Sequence, residues 1–158
     1  MPWFMDCLQK GRFEAVNPFN NRVKIVSLLP DQVHSIVFWS KDFGPFLKGD
    51  YGMRLEEMGY HLFFNFTINS AIPILEPAVP ALDKRIEQLS ELARRFSPRA
   101  ITWRFDPLVF FSTDEGGIKN NLADFPRIAA AASDADIERC VTSFMDVYPK
   151  ITRRVKKM

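Results

Sequence analysis

Apolar and polar positions change period repeatedly along the chain, and each change marks an element. Residues 2–10 read as a short helix that Gly11 ends. Residues 12–16 and 23–28 are extended runs separated by Asn17-Pro18-Phe19-Asn20-Asn21, a turn-forming composition that predicts a hairpin with a five-residue connection. Pro30-Asp31-Gln32-Val33 fits one helical turn, and residues 35–40 (SIVFWS) predict a buried strand. Residues 50–58 predict a helix with Gly59 at its C-terminal cap. Residues 60–68 (YHLFFNFTI) are the strongest strand, and residues 69–80, with three prolines, read as a loop. From 82 to 96, Leu82, Ile86, Leu89, Ala93 and Phe96 fall on one helical stripe, with Lys84, Arg85, Glu87, Glu91 and Arg95 elsewhere. Residues 100–105 and 139–144 predict strands, and residues 147–157 a final helix. Residues 120–132 are helical by composition, with Pro126 either kinking the helix or marking its true start.

Strands that alternate with helices predict an α/β fold with a mainly parallel sheet and an N-terminal β-hairpin. Residues 60–68 should lie centrally, because large side chains occupy both faces of FFNF. A closed eight-unit barrel takes about 250 residues. The 158 residues here hold four βα units and a hairpin, which predicts one domain over 1–158 built as an incomplete barrel or an open sheet.

Composition narrows the class. Charged residues at 25% and hydrophobic ones at 47% suit a globular chain with a filled core, and fifteen Phe point to an aromatic one. Charges interrupt every apolar run, so no membrane-spanning segment is expected, and the opening residues lack the pattern of a secretory signal. Cys7 and Cys140, 133 positions apart, form no disulfide framework or metal knuckle and are expected as small buried hydrophobes. A reducing, cytoplasmic compartment follows as the default. The net charge of +2 is carried by the end of the chain: Lys150, Arg153, Arg154, Lys156 and Lys157 leave residues 1–149 at −3. A body of that sign is not expected to bind nucleic acid.

Phosphate-binding glycine loops, nucleophile elbows and zinc-protease motifs do not occur. His34 and His61 stand apart in sequence without metal-pair spacing, so no metal site is predicted. What recurs is polarity at the C-terminal ends of strands. FWSKD ends in Lys41 and Asp42, and FNFTIN offers Asn65, Thr67 and Asn69. TWRFDP offers Arg104 and Asp106, and TSFMD offers Ser143 and Asp146. The two-residue period puts Thr102, Arg104 and Asp106 on one face and Ile101, Trp103 and Phe105 on the other. The apolar face should meet the helices, so the polar face should look into the barrel, with Pro107 ending the strand. Buried charges need partners or water, and the strand-end mouth of βα folds is where ligands bind. The candidate binding residues are therefore Lys41, Asn65, Thr67, Arg104, Asp106 and Ser143. Two alternatives stay open: an internal Arg104–Asp106 ion pair that only orders the rim, and Asp146 as a helix cap.

NPFN at 17–20, VFWSKD at 37–42, FNFT at 64–67, WRFDP at 103–107 and SFMD at 143–146 occur in an order and spacing that resembles a bacterial and archaeal family. It is domain-of-unknown-function family eighteen forty-eight. The resemblance implies a partial TIM-like (βα) barrel. It also implies a C-terminal cysteine cluster like that of radical S-adenosylmethionine enzymes, hence an iron–sulfur cluster and S-adenosylmethionine in full-length relatives. This sequence departs from the family pattern. The family's opening strand and its S-R-R-T-D-type motif have no counterpart before Trp3. Ser40, Asp42 and Leu29 are substitutions, and no position matches the cluster cysteines. The resemblance thus implies an internal fragment that holds no cofactor by itself and is able to self-associate through an exposed sheet edge.

Two function classes follow. In one, the chain supplies the substrate- and cofactor-facing strand ends of a radical S-adenosylmethionine-type enzyme. In the other, it is a non-catalytic α/β domain whose polar rim holds an anionic small molecule or a protein partner.

Overall fold

A computed structural model describes residues 1–112, 116–146 and 149. The chain begins with helix α1 (Pro2–Gln9) and the antiparallel hairpin β1 (Arg12–Val16) and β2 (Val23–Ser27). Strand β3 (Ser35–Ser40) leads through helices α2 (Gly44–Lys48) and α3 (Tyr51–Glu57) to β4 (His61–Thr67). Helix α4 (Leu82–Phe96) then returns the chain to β5 (Ile101–Leu108). A short hairpin, β6 (Phe110–Ser112) and β7 (Ile118–Asn120), and helix α5 (Phe125–Asp134) precede β8 (Cys140–Phe144). The architecture is mixed α/β: a parallel sheet of four strands, in the order β3-β4-β5-β8, with two antiparallel hairpins. Each crossover between neighbouring parallel strands contains helix, as parallel pairing requires.

The first hairpin forms where the turn residues stand. Asn17 and Asn20 accept hydrogen bonds from the backbone of Phe19 and Arg22, and Asn21 takes a left-handed φ of 55° that asparagine tolerates. The connection spans residues 17–22, one longer than expected, because β1 stops at Val16 and β2 starts at Val23. The hairpin is held to the sheet by the buried Tyr60, whose hydroxyl donates to the Leu28 carbonyl.

Strand β4 lies between β3 and β5, and its alternation decides how the sheet is covered. Leu62, Phe64 and Phe66 are buried on one face, while Phe63 is 40% exposed on the other. Phe64 and Phe66 enter a layer of rings with Phe43, Phe46 and Phe96, at centroid separations of 4.9 Å for Phe43–Phe66 and 5.1 Å for Phe64–Phe96. Gly52 lets α3 approach α4, since a Cβ there would lie 2.2 Å from the Phe96 ring. No described helix covers the opposite face of the sheet, which is exposed at Val37, Trp39 and Phe63 and closes towards the strand ends, where Thr67 is buried.

Several expectations are corrected. Strand β3 is not buried: it is an edge strand, and Val37 and Trp39 on the open face are 58% and 65% exposed. Strand β5 does not end at Pro107. It continues to Leu108 through a cis Asp106–Pro107 peptide and a register shift in its pairing with β8, where the ladder needs no proline N–H. Cys140 is exposed rather than buried, because β8 pairs only with β5 among the described residues and no helix covers its five positions. Cys7 is buried in the core. Pro126 marks the start of α5 rather than a kink.

Helix α4 has the expected bounds, with Asp83 in its first turn and Arg94 and Arg95 in its last, the order that suits the helix dipole. Its stripe differs from the expected one. Arg85, placed on the charged side by its residue type, is only 1% exposed, and Leu92 is fully buried. The final helix expected over 147–157 lies outside the described residues. None of the described helices is long and apolar enough to cross a membrane.

Leu89 has no exposed surface and sits in the middle of the α4 contact. Leu89→Ala is expected to lower unfolding free energy by about 2–5 kcal/mol, measured by equilibrium urea denaturation.

Candidate functional site

The C-terminal ends of the parallel strands bring together residues far apart in sequence. Lys41 follows β3, Asn69 follows β4, Asp106 lies near the end of β5, and Ser143 lies near the end of β8. Because Ile101, Trp103 and Phe105 are buried against the helices, Arg104 and Asp106 project from the open face. They bond to each other, Arg104 Nη2 donating to Asp106 Oδ2 at 2.5 Å. Ser143 Oγ donates to the other carboxylate oxygen. The Arg104 guanidinium also lies over the Trp39 indole, 4.4 Å from the ring centroid.

Asn69 joins this cluster to a second one. Its Oδ1 accepts from the Asp106 backbone N–H at 2.9 Å, and its Nδ2 donates to the Asp106 carbonyl at 3.2 Å and to Glu76 Oε1 at 2.9 Å. Lys41 Nζ donates to that same Glu76 oxygen. Glu76 Oε2 lies 3.7 Å from Arg85 Nη1, beyond hydrogen-bond reach. One carboxylate therefore faces two cations, and Arg85 is 1% exposed with Nε and Nη1 lacking hydrogen-bond partners. Burial pulls the Arg85 pKa down, and the charges of Glu76 and Asp124 oppose that pull.

Above Lys41 and Glu76 opens a cavity of about 400 Å³, walled further by Asn69, Val79, Phe111 and Met145. Its rim is built by loop contacts. Ser70 Oγ donates to the Asn121 carbonyl at 2.6 Å and accepts from the Asp124 N–H at 2.9 Å. Asn121 accepts from the Val109 N–H at 2.8 Å and donates to the Pro107 carbonyl at 2.9 Å. The β6–β7 hairpin is thereby tied to the end of β5.

The candidates from sequence divide into three groups. Arg104, Asp106 and Ser143 form one bonded cluster. Lys41 lines the cavity, joined to Glu76. Asn65 and Thr67 share the open face, in register with Trp39 and Thr102 and with Arg104, but do not line the cavity. Asp42 has a local task, accepting from the Gly44 N–H and from Gln88 Nε2, both at 2.9 Å, at the start of α2. His34 and His61 are not isolated: their rings lie 4.6 Å apart at the N-terminal end of the sheet, away from the cavity. Among the described residues no group of three or more His, Cys, Asp or Glu could hold a metal ion.

Sequence reasoning missed Glu76 and Arg85. Glu76 stands in a proline-rich loop where no periodicity marks it. Arg85 carried a usable signal, since 82, 85, 89, 92 and 96 follow helical three- and four-residue steps and place an arginine inside an apolar stripe.

Burial alone would raise the Asp106 carboxyl. Hydrogen bonds from Ser143 and Arg104, with the charges of Arg104 and Lys41, outweigh it and hold the pKa below its ordinary value. The stability that this carboxylate contributes is fully present above an unfolded value of about 4 and is lost as pH falls through the lower folded value. Asp106→Asn is expected to be less stable than the parent chain near neutrality, with the difference closing on acidification. Urea unfolding of both proteins from about pH 6 to about pH 3 checks this.

The family described as Domain of unknown function (DUF1848) matches residues 1–158. No curated protein and no solved structure matches the chain.

Proposed function

The chain belongs to the DUF1848 family, and within it we propose that the strand-end mouth recognises a small organic molecule through an anionic group. The observation that carries this is Lys41 at the cavity wall: the buried Arg85 is answered by Glu76 and Asp124, while the Lys41 ammonium is tied to Glu76 alone by a hydrogen bond and faces the cavity. Lys41 is the accessible member, with its side chain 42% exposed, and an ammonium has three donors of which Glu76 uses one. An incoming anion meets Lys41 while Arg85 keeps Glu76 in place. The Arg104–Asp106–Ser143 cluster does not line the cavity and is joined to it through Asn69, which it helps to hold in place.

On this reading residues 1–158 are one α/β unit, and the sheet is an arc of a partial TIM-like (βα) barrel. The sequential order β3-β4-β5-β8 and the polar open face support that arrangement. Thermal shift with carboxylates, phosphate esters and their uncharged amide counterparts tests the binding. Anions are expected to raise the melting temperature of the parent chain and to lose that effect in Lys41→Met. Equal shifts in both proteins, or none in the parent, would overturn it.

A second reading is enzymatic. It is favoured by the site's position at the C-terminal ends of parallel strands, where α/β enzymes hold nucleotide cofactors. The family resemblance makes that reaction radical S-adenosylmethionine-type, with cluster cysteines supplied by sequence outside these residues. The described residues do not fit an iron–sulfur cluster, which takes several cysteine thiolates, since Cys7 is buried in the core and Cys140 lies exposed on β8. The role of this chain is then to orient substrate and cofactor polar groups. Iron and sulfide analysis after anaerobic reconstitution separates the readings. A longer relative with the cysteines is expected to load and this chain is not, and stoichiometric iron here would contradict the assignment.

A further inference from the structure

We infer that the molecule recognised at the strand-end cavity is a monocarboxylate with an apolar body, an inference that rests on the anion-binding reading above. It rests on the polar side-chain atoms of the lining that are left for a ligand. Asn69 spends its carbonyl oxygen on the Asp106 N–H and its amide on Glu76 and the Asp106 carbonyl. Ser70 is engaged with Asn121 and Asp124. Asn121 is engaged at both ends of its side chain, by Val109 and Pro107. These groups line the cavity, but their hydrogen bonds run back into the protein.

Lys41 is different, because its ammonium keeps donors beyond the one given to Glu76. Among the described lining residues a ligand thus finds one cationic side chain. The remaining walls are hydrocarbon, sulfur and aromatic ring: Ile74, Leu75, Val79, Val109, Phe111 and Met145. A cavity of about 400 Å³ exceeds what a bare carboxylate or inorganic phosphate fills, and it falls within the range of small-molecule sites. Glu76 sharpens the choice. A single charge can pair with Lys41, whereas a second charge on the ligand meets no other cationic side chain among the described lining residues and faces the Glu76 carboxylate. Apolar substituents gain by leaving water against the hydrocarbon walls.

Titration calorimetry with octanoate, acetate, octan-1-ol and the eight-carbon dicarboxylate suberate tests the class. Octanoate is expected to bind at least tenfold more tightly than each of the others. Lys41→Met should bring octanoate down to the level of octan-1-ol. Val79→Ser should weaken octanoate severalfold and leave acetate unchanged, with circular dichroism confirming that both variants are folded. If acetate and octanoate bind alike and both are lost in Lys41→Met, the anion site stands and the apolar body is overturned. Equal binding of octan-1-ol and octanoate, or tighter binding of suberate, overturns the monocarboxylate head. No heat from any anion, with no thermal shift in the wider panel, sinks the anion-binding reading itself.

Discussion

Phe64 and Phe66 point from the middle of the parallel sheet into rings contributed by α2, α4 and Phe43 just before α2, and the rest of the arrangement follows from that packing. Strand side chains alternate, so sending these two rings inward sends Asn65 and Thr67 to the other face. The neighbouring ladder repeats the rule: Phe64 pairs with Ile101 and Phe66 with Trp103, so Thr102 and Arg104 follow Asn65 and Thr67 outward. The polarity of the open face is thus the complement of an aromatic core, set by register. A one-residue slip would bury Arg104 and expose Trp103.

At the strand ends two carboxylates organise the site, and they do so differently. The Asp106 carboxylate is answered by Arg104 and Ser143, so its charge is matched within strands β5 and β8, while Asn69 from the loop after β4 holds its backbone. Glu76 arrives from a loop and is shared between a buried arginine and a half-exposed lysine. A buried ion pair of this kind adds little net stability, because desolvation offsets most of the Coulombic attraction. Its physical effect is to hold a loop and a lysine in one place. That is what a recognition site requires of its supporting groups.

Much of this fold was legible in the chain. Helix α4, strand β4 and the first hairpin carry long periodic runs or strong turn residues, and residues 82–96 matched the helix at both ends. The elements that escaped are short. Helix α2 has five residues, and β6 and β7 have three each, too few for a period to show. Cys140 was misread because residue type suggests burial, whereas its exposure depends on β8 having one strand neighbour and no covering helix among the described residues. Of the site, the same-face pairing of Arg104 and Asp106 follows from spacing alone, but its link to Glu76 is a long-range contact made by a loop. Local patterns carry no information about such a contact. Arg85 is the instructive intermediate, since its position was readable while its chemistry argued the other way.

The N-terminal hairpin depends on a phenol. Tyr60 sits at the entrance to β4 and its hydroxyl donates to Leu28, the residue that follows β2. Burial raises its pKa above the ordinary value, because a phenolate there would lose its water. The unfolded chain ionises first, so this residue's stabilising contribution is intact below about pH 10 and disappears as the solution climbs through the folded value. A deprotonated oxygen would also have no proton to give and would face the carbonyl with like charge. Alkali therefore acts on the hairpin's attachment through Tyr60, at the end of the sheet opposite the one where acid acts through Asp106, so the two extremes of pH loosen different parts of the same molecule.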